Sequence, residues 1–182
     1  MRVIAGQFRS RRLKSAPGLN VRPTPDRLRE TLFNVLAPEI EGTVFLDAYA
    51  GSGAVAIEAL SRGARHAILF EKSNAALAVI HENLKTLGLS DRATVIRGNA
   101  LSLLPRHPAG IVFLDPPYSR ASDYQSALGL LAPTPLVIAQ HEWRLHLPDD
   151  AGSLRKTRVI RQGSNALSFF RTRSEPEPEP EP

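Results

Sequence analysis

Apolar positions along this 182-residue chain fall into short continuous runs separated by helical stripes. Thr43-Val44-Phe45-Leu46, Ala67-Ile68-Leu69-Phe70, Ala93-Thr94-Val95-Ile96-Arg97, Ile111-Val112-Phe113-Leu114 and Leu136-Val137-Ile138-Ala139 have the length and branching of strands buried on both faces. Between them the period changes to that of a helix. One helix is expected from Ala54 to about Arg62, stopped by Gly63. A second, capped by Ser73, runs to Leu87 with Leu77, Ile80, Leu84 and Leu87 on one face, and Gly88 ends it. A short helix is expected over 100–104 and another over 121–132, broken at Pro133. The fifth run ends near Gln140-His141-Glu142-Trp143, and beyond it Leu154 to Arg161 and Ala166 to Arg171 read as two strands joined through Gln162-Gly163-Ser164-Asn165, a hairpin. Five β/α units followed by a hairpin predict an α/β fold. It is a doubly wound, Rossmann-like, mostly parallel sheet of seven strands, with helices on both faces and an antiparallel addition.

The front of the chain reads differently. Residues 1–20 form a short strand or hairpin anchored by Val3, Ile4 and Leu13, with a basic turn over Gln7 to Arg12. Thr24 caps a helix, Pro25 takes its first position and Asp26 favours its positive end. That helix runs to about Leu36, with Leu28, Leu32, Val35 and Leu36 on one face, and Pro38 closes it. The expected organisation is a basic N-terminal extension over 1–40, a main domain over 41–173 and a solvated Glu-Pro tail over 174–182.

Charge sharpens this picture. The net charge is +5, although the tail alone carries four glutamates. Arg9, Arg11, Arg12, Arg22, Arg27 and Arg29 crowd the first thirty residues. Such a cluster reads as the footprint of a polyanion, most simply nucleic acid, with a merely solvated basic face as the alternative. There is no cysteine and hence no disulfide framework, and no metal site is expected. No apolar run approaches the roughly 20 residues of a membrane span. The first residues lack the apolar core of a signal peptide, so a cytoplasmic protein is expected.

Candidate chemistry gathers at the ends of the expected strands. Asp115-Pro116-Pro117-Tyr118 follows the fourth run. The prolines stiffen the turn into a ledge with outward acceptors and a ring beside them, which suits a flat base bearing an exocyclic amine. A proline-rich turn with a capping Asp is the plainer reading. Asp47-Ala48-Tyr49-Ala50-Gly51-Ser52-Gly53 follows the first run and opens a helix, as nucleotide-type sites do. It is not the dinucleotide fingerprint, because Val55 and Ala56 stand where the last glycine would fall. Glu71 ends the second run, 24 residues after Asp47, where an acid commonly accepts ribose hydroxyls. A surface Glu paired with Lys72 is the alternative. Asn99, beside Ala100, ends the third run and either reads an adenine edge or caps the short helix.

The order of these pieces resembles the class I S-adenosylmethionine-dependent methyltransferases that act on amino groups. Motif I of that class matches Asp47 to Gly53 and motif IV matches Asp115 to Tyr118. Four blocks resemble the bacterial RsmD family more specifically: MRVIAGQFRSRRL at 1–13, RPTPDRLRETLFN at 22–34, AGSG at 50–53 and EALSRG at 58–63. The resemblance covers roughly residues 1 to 171. Tyr49 departs from the commoner Phe and Asn99 from Asp. Residues 162–168 depart from a Tyr-Gly-Asp/Glu-Thr-type pattern.

The resemblance implies methyl transfer to the exocyclic N2 of a guanine in 16S ribosomal RNA, within the small subunit or an assembly intermediate, by a monomer. Asp47 to Gly53, Glu71 with Lys72, and Asn99 with Ala100 would hold S-adenosylmethionine. Asp115, Pro116, Pro117 and Tyr118 would be catalytic, and Arg9, Arg11, Arg12, Arg22, Thr24, Arg27 and Arg29 would contact RNA. The rival readings are an amino methyltransferase for DNA adenine, another ribosomal base or a protein glutamine; a non-catalytic nucleic-acid-binding module; and a nucleotide-dependent oxidoreductase.

Overall fold

The computed structural model describes residues 1–15, 25–131 and 134–173. Arg22, Thr24, Pro133 and the Glu-Pro tail therefore lie outside the described residues. Five parallel strands, β1 (Val44–Asp47), β2 (His66–Glu71), β3 (Ala93–Arg97), β4 (Ile111–Leu114) and β5 (Leu136–Glu142), are followed by β6 (Asp150–Ala151), β7 (Leu154–Gln162) and β8 (Asn165–Thr172). The sheet order is β3-β2-β1-β4-β5-β8-β7-β6, antiparallel from β8 onward. The seven expected strands are present. β6 is an addition at the edge, too short for any alternation of residue type to announce it.

The helices are α1 (Asp26–Leu36), α2 (Ala54–Ser61), α3 (Asn74–Leu87), α4 (Ala100–Leu103) and α5 (Ser122–Leu130). They cover both faces of the sheet. Phe45, Leu69, Phe113 and Ile138 pack with residues of α1, α2 and α3, whereas Leu46, Phe70, Val112 and Val137 pack with residues of α4 and α5. This alternation explains why the strands read as unbroken apolar runs: both sides of each strand are buried. Strand order reverses between β1 and β4, so the loops leaving their C-terminal ends diverge and open a crevice there.

β5 extends beyond its apolar run through Gln140, His141 and Glu142, which pair with Leu167, Ala166 and Asn165 of β8. α1 begins one residue later than expected. Pro25 stands just before it with φ −53° and ψ 137°, and its carbonyl accepts from Leu28 and Arg29 N–H.

The first fifteen residues fold back on themselves. Val3 N–H donates to Arg11 O and Ser10 N–H to Val3 O, and Val3 and Leu13 enter the same core as α1 and the sheet. The segment is fastened to α2. The Glu58 carboxylate accepts from Ile4 N–H (2.8 Å) and Ala5 N–H (3.0 Å), while Ser61 O accepts from Gln7 N–H and Ser61 Oγ from Phe8 N–H. Gly6 has φ +80°, and a Cβ there would lie 1.9 Å from Ser61 O, so only glycine allows this approach.

Candidate active site at the C-terminal edge of the sheet

Hydrogen bonds tie the loop after β1 to the C-terminal ends of β2 and β4. Ala48 N–H donates to Phe113 O and Ala50 N–H to Phe70 O, which ties the glycine loop to both neighbouring strands. Gly51 N–H donates to Glu71 Oε2 at 2.9 Å, and Glu71 Oε1 accepts from Lys72 and Ser73 N–H at 2.8 Å. A carboxylate offers about four acceptor positions. Three are used in bracing the loop, which leaves capacity for about one further donor rather than for both hydroxyls of a ribose. Gly53, with φ +78°, opens α2. A Cβ there would crowd Leu69 Cδ2 at 3.3 Å, so its missing side chain serves packing and backbone geometry rather than ligand contact.

Asp47 is buried beneath this loop. Its carboxyl accepts from Tyr49 N–H, and burial pushes its pKa up to about 7, opposed by backbone hydrogen bonds and reinforced by the negative charge of Glu71. A cationic ligand group nearby would favour the ionised form. Tyr49 reaches across to the other side of the crevice. Its hydroxyl donates to Asp123 Oδ2 (2.9 Å) on α5, and Asp123 also pairs with Arg120 at 3.1 Å. Burial, then the bond to Asp123, holds the Tyr49 phenol above its ordinary pKa. The hydroxyl thus fastens the glycine loop to the helix that follows the proline ledge. Phe, expected at this position from the resemblance, has no such bond.

Asp115 emerges from β4 half-buried, with Pro116 buried behind it and Pro117 exposed at φ −54°. Gln140 Nε2 donates to Asp115 Oδ2 at 3.0 Å. The amide nitrogen must face the carboxylate, because the amide oxygen would repel it. Gln140 Oε1 is then buried with no hydrogen-bond partner among the described residues, and the Tyr124 hydroxyl holds the Gln140 carbonyl from α5. His141 is turned away, bonded to Ser168 Oγ and Glu142 O, and burial lowers its pKa.

The other expected site residues divide. Asn99 caps α4, its Oδ1 accepting from Leu101 N–H at 3.1 Å, with Ala100 buried behind it and Lys72 exposed. Arg9, Arg11, Arg12 and Arg27 are exposed. Arg29 does not share that exposure. It is fully buried, donates to Arg2 O (2.6 Å) and Asp26 Oδ1 (3.0 Å), and lies 3.8 Å from the equally buried Glu58. Burial lowers its pKa against the opposing pull of Glu58 and Asp26. Its side chain could not reach a phosphate without unmaking this cluster.

Gln140 and Asn83 were not among the expected site residues. Asn83 accepts from Lys14 N–H and donates to the carbonyls of Lys14 and Ser52, so it links the basic front to the glycine loop. A sequence signal existed for it: position 83 lies on the stripe of Ala76, Ile80, Leu84 and Leu87.

The chain as a whole is similar to known proteins. The profile of a family described as "Conserved hypothetical protein 95" matches residues 1–171. A Bacillus subtilis protein, YlbH, provisionally named an rRNA methyltransferase, is 35% identical over 95% of this chain and 100% of its own length. Ribosomal RNA small subunit methyltransferase D of Escherichia coli is 42% identical over 83% of this chain and 71% of its own. The solved structure of an Escherichia coli protein, yhhF, provisionally titled a methyltransferase, superposes with a TM-score of 0.84 at 36% identity, covering 96% of this chain and 99% of the other.

Proposed function

The chain belongs to the family described as conserved hypothetical protein 95, the RsmD family, and from that premise we propose that it methylates the exocyclic N2 of a guanine in 16S ribosomal RNA, using S-adenosylmethionine. The observation that carries this reading is the placement of Asp115, on its proline ledge and held by Gln140, at the crevice shared with the glycine loop. The residues present fit the cofactor. The buried Asp47 carboxyl gains from a cationic neighbour, and Glu71 retains acceptor capacity for a ribose hydroxyl. Asn99 and Ala100 stand at the next strand end, where an adenine would lie. Bound S-adenosylmethionine supplies a methyl group made electrophilic by its sulfonium charge.

The protein's task concerns the nucleophile. The lone pair of guanine N2 is delocalised into the ring. Asp115 and the Pro116 carbonyl accept its N–H hydrogens, which favours pyramidalisation and aims the lone pair. Tyr118, whose side chain lies outside the described residues, would stack on the base, a contact worth about 1–3 kcal/mol. Alignment of this kind contributes up to about 7–11 kcal/mol to rate. Asp115 need not be a strong base, because the amine becomes acidic only as the methyl arrives. The target base must be unpaired or flipped to enter. Arg9, Arg11, Arg12 and Arg27, with Arg22, hold phosphates, so RNA affinity falls steeply with salt. The protein acts as a monomer in the cytoplasm, on the small subunit or an assembly intermediate.

Mapping N2-methylguanine in 16S ribosomal RNA from cells lacking this protein tests the reading. One guanine should lose its methyl group and regain it on complementation. An unchanged methylation map would refute the assignment.

A further inference from the structure

The hairpin of β7 and β8 takes no part in the site described above, yet its tip lies on the same edge of the sheet. β7 runs parallel to β5, so Gln162 and Glu142 both end at the crevice edge. Trp143 follows β5 directly. Its N–H donates to Ser164 O in the hairpin turn at 2.8 Å, which fixes it against the tip. Trp143 remains 40% exposed. Arg161 lies over it, with the guanidinium carbon 4.8 Å from the ring centroid, and Arg161 Nε donates to Gly163 O at 3.2 Å. Arg144 is exposed beside it, and the turn residues Gly163 and Ser164 carry no acid. An exposed indole with an oriented guanidinium over it is a ready stacking platform, and bases stack on such surfaces whatever their sequence.

Two observations tie this platform to RNA rather than to a protein partner. Gln162 reaches Thr31 Oγ1 of α1 at 3.5 Å, so the tip adjoins the helix whose exposed Arg27 belongs to the basic front. Trp143 is also only three residues beyond Gln140, about 10 Å along an extended strand from the group that holds Asp115. We propose that Trp143 and Arg161 form a second RNA-contacting surface, on which a nucleotide flanking the target stacks against Trp143 while Arg161 and Arg144 hold its phosphate. The inference rests on the reading of the substrate as ribosomal RNA.

Trp143 is the sole tryptophan of the chain, so intrinsic fluorescence reports on this surface alone. A 16S ribosomal RNA fragment carrying the target guanine should quench its emission on binding, with binding followed independently by anisotropy of the labelled RNA. Heparin, a polyanion without bases, should bind the arginines and leave the emission largely unchanged. Trp143→Ala should raise KM for RNA about tenfold with kcat and S-adenosylhomocysteine affinity unaltered, and Trp143→Phe should restore most of the loss. Arg161→Ala, at an exposed position, should reduce the salt slope of RNA affinity by about one even if the Trp143 variants prove unstable. RNA that binds without changing the emission, or an unaltered KM in Trp143→Ala, overturns the proposal while leaving the methyltransferase reading intact. A wild-type protein that binds cofactor but no ribosomal RNA overturns both.

Discussion

Gln140→Leu separates the positioning of Asp115 from the stability of the fold. Gln140 donates to Asp115 Oδ2 at 3.0 Å from a buried position at the end of β5. A hydrogen bond to a charged group contributes about 1.5–3 kcal/mol. The same side chain carries a buried Oε1 with no partner among the described residues, and a stranded acceptor costs about 1–3 kcal/mol. Leucine, of similar volume, removes both. The two effects nearly cancel in folding, so stability should change by less than about 1 kcal/mol and the Tm by less than about 4 °C. No such cancellation exists in the transition state. A carboxylate that loses this bond is aimed less firmly, and about 1.5–3 kcal/mol expressed there lowers kcat roughly 10- to 150-fold. Single-turnover transfer of labelled methyl to RNA measures this, with S-adenosylhomocysteine calorimetry and a thermal melt as controls. A kcat within twofold of wild type in a folded, cofactor-binding variant would refute the positioning role.

Other substitutions test the surrounding structure. Asp47 binds its proton more tightly in the folded protein (pKa about 7) than its ordinary value of 3.8, so its contribution to stability is present below that value and lost as pH rises through 7. Asp47→Asn, which cannot ionise, should therefore gain on wild type between about pH 5 and pH 8 in urea titrations; an equal difference at both pH values would contradict the burial argument. Tyr49→Phe removes the bond to Asp123 and should lower the Tm by about 3–12 °C, since among the described residues Asp123 then keeps Arg120 alone; an unchanged melt would show that the hydroxyl contributes nothing. Arg29→Ala removes the donor to Arg2 O and one of two guanidinium groups beside buried Glu58, which keeps Arg62 at 2.8 Å and the Ile4 and Ala5 N–H groups, and should destabilise the fold by about 1.5–3 kcal/mol in urea titrations. Arg9→Ala, Arg11→Ala and Arg12→Ala should each leave the melt unchanged and reduce the salt slope of RNA affinity by about one. The opposite pattern would return Arg29 to the RNA surface.

How much of this was legible in the sequence depends on the range of the interactions. The parallel strands were legible because burial on both faces leaves continuous apolar runs, and the helices because Ser73, Gly63 and Gly88 punctuate them. The end of β5 was legible as falling near Gln140 to Trp143, but not what holds it: Gln140, His141 and Glu142 pair with β8, more than twenty residues away. Arg29 was misread because an arginine in a basic cluster looks solvated. Its place on the stripe of Leu32, Phe33 and Leu36 is the local sign of burial, and its counter-charge, Glu58, is twenty-nine positions later. The family-like blocks at 1–13, 22–34 and 58–63 look independent in one dimension. In the fold they meet: Glu58 holds Ile4 and Ala5, Ser61 holds Gln7 and Phe8, and Arg29 bridges Arg2 and Glu58. Part of what resembled an RNA-reading signature is the fastening that seats the basic front. Gln140 as a tether for Asp115 could not be read at all, since nothing local links positions 115 and 140.

The most direct test is methyl transfer by wild type and Asp115→Ala with labelled S-adenosylmethionine, offered 16S ribosomal RNA, duplex DNA and protein substrates separately. Label should enter ribosomal RNA alone, at guanine N2. Asp115→Ala should lose transfer by at least about a hundredfold while binding S-adenosylhomocysteine as tightly as wild type. Transfer that survives in Asp115→Ala, or label that enters DNA or protein in preference to RNA, would contradict the assignment of Asp115 and of the substrate respectively.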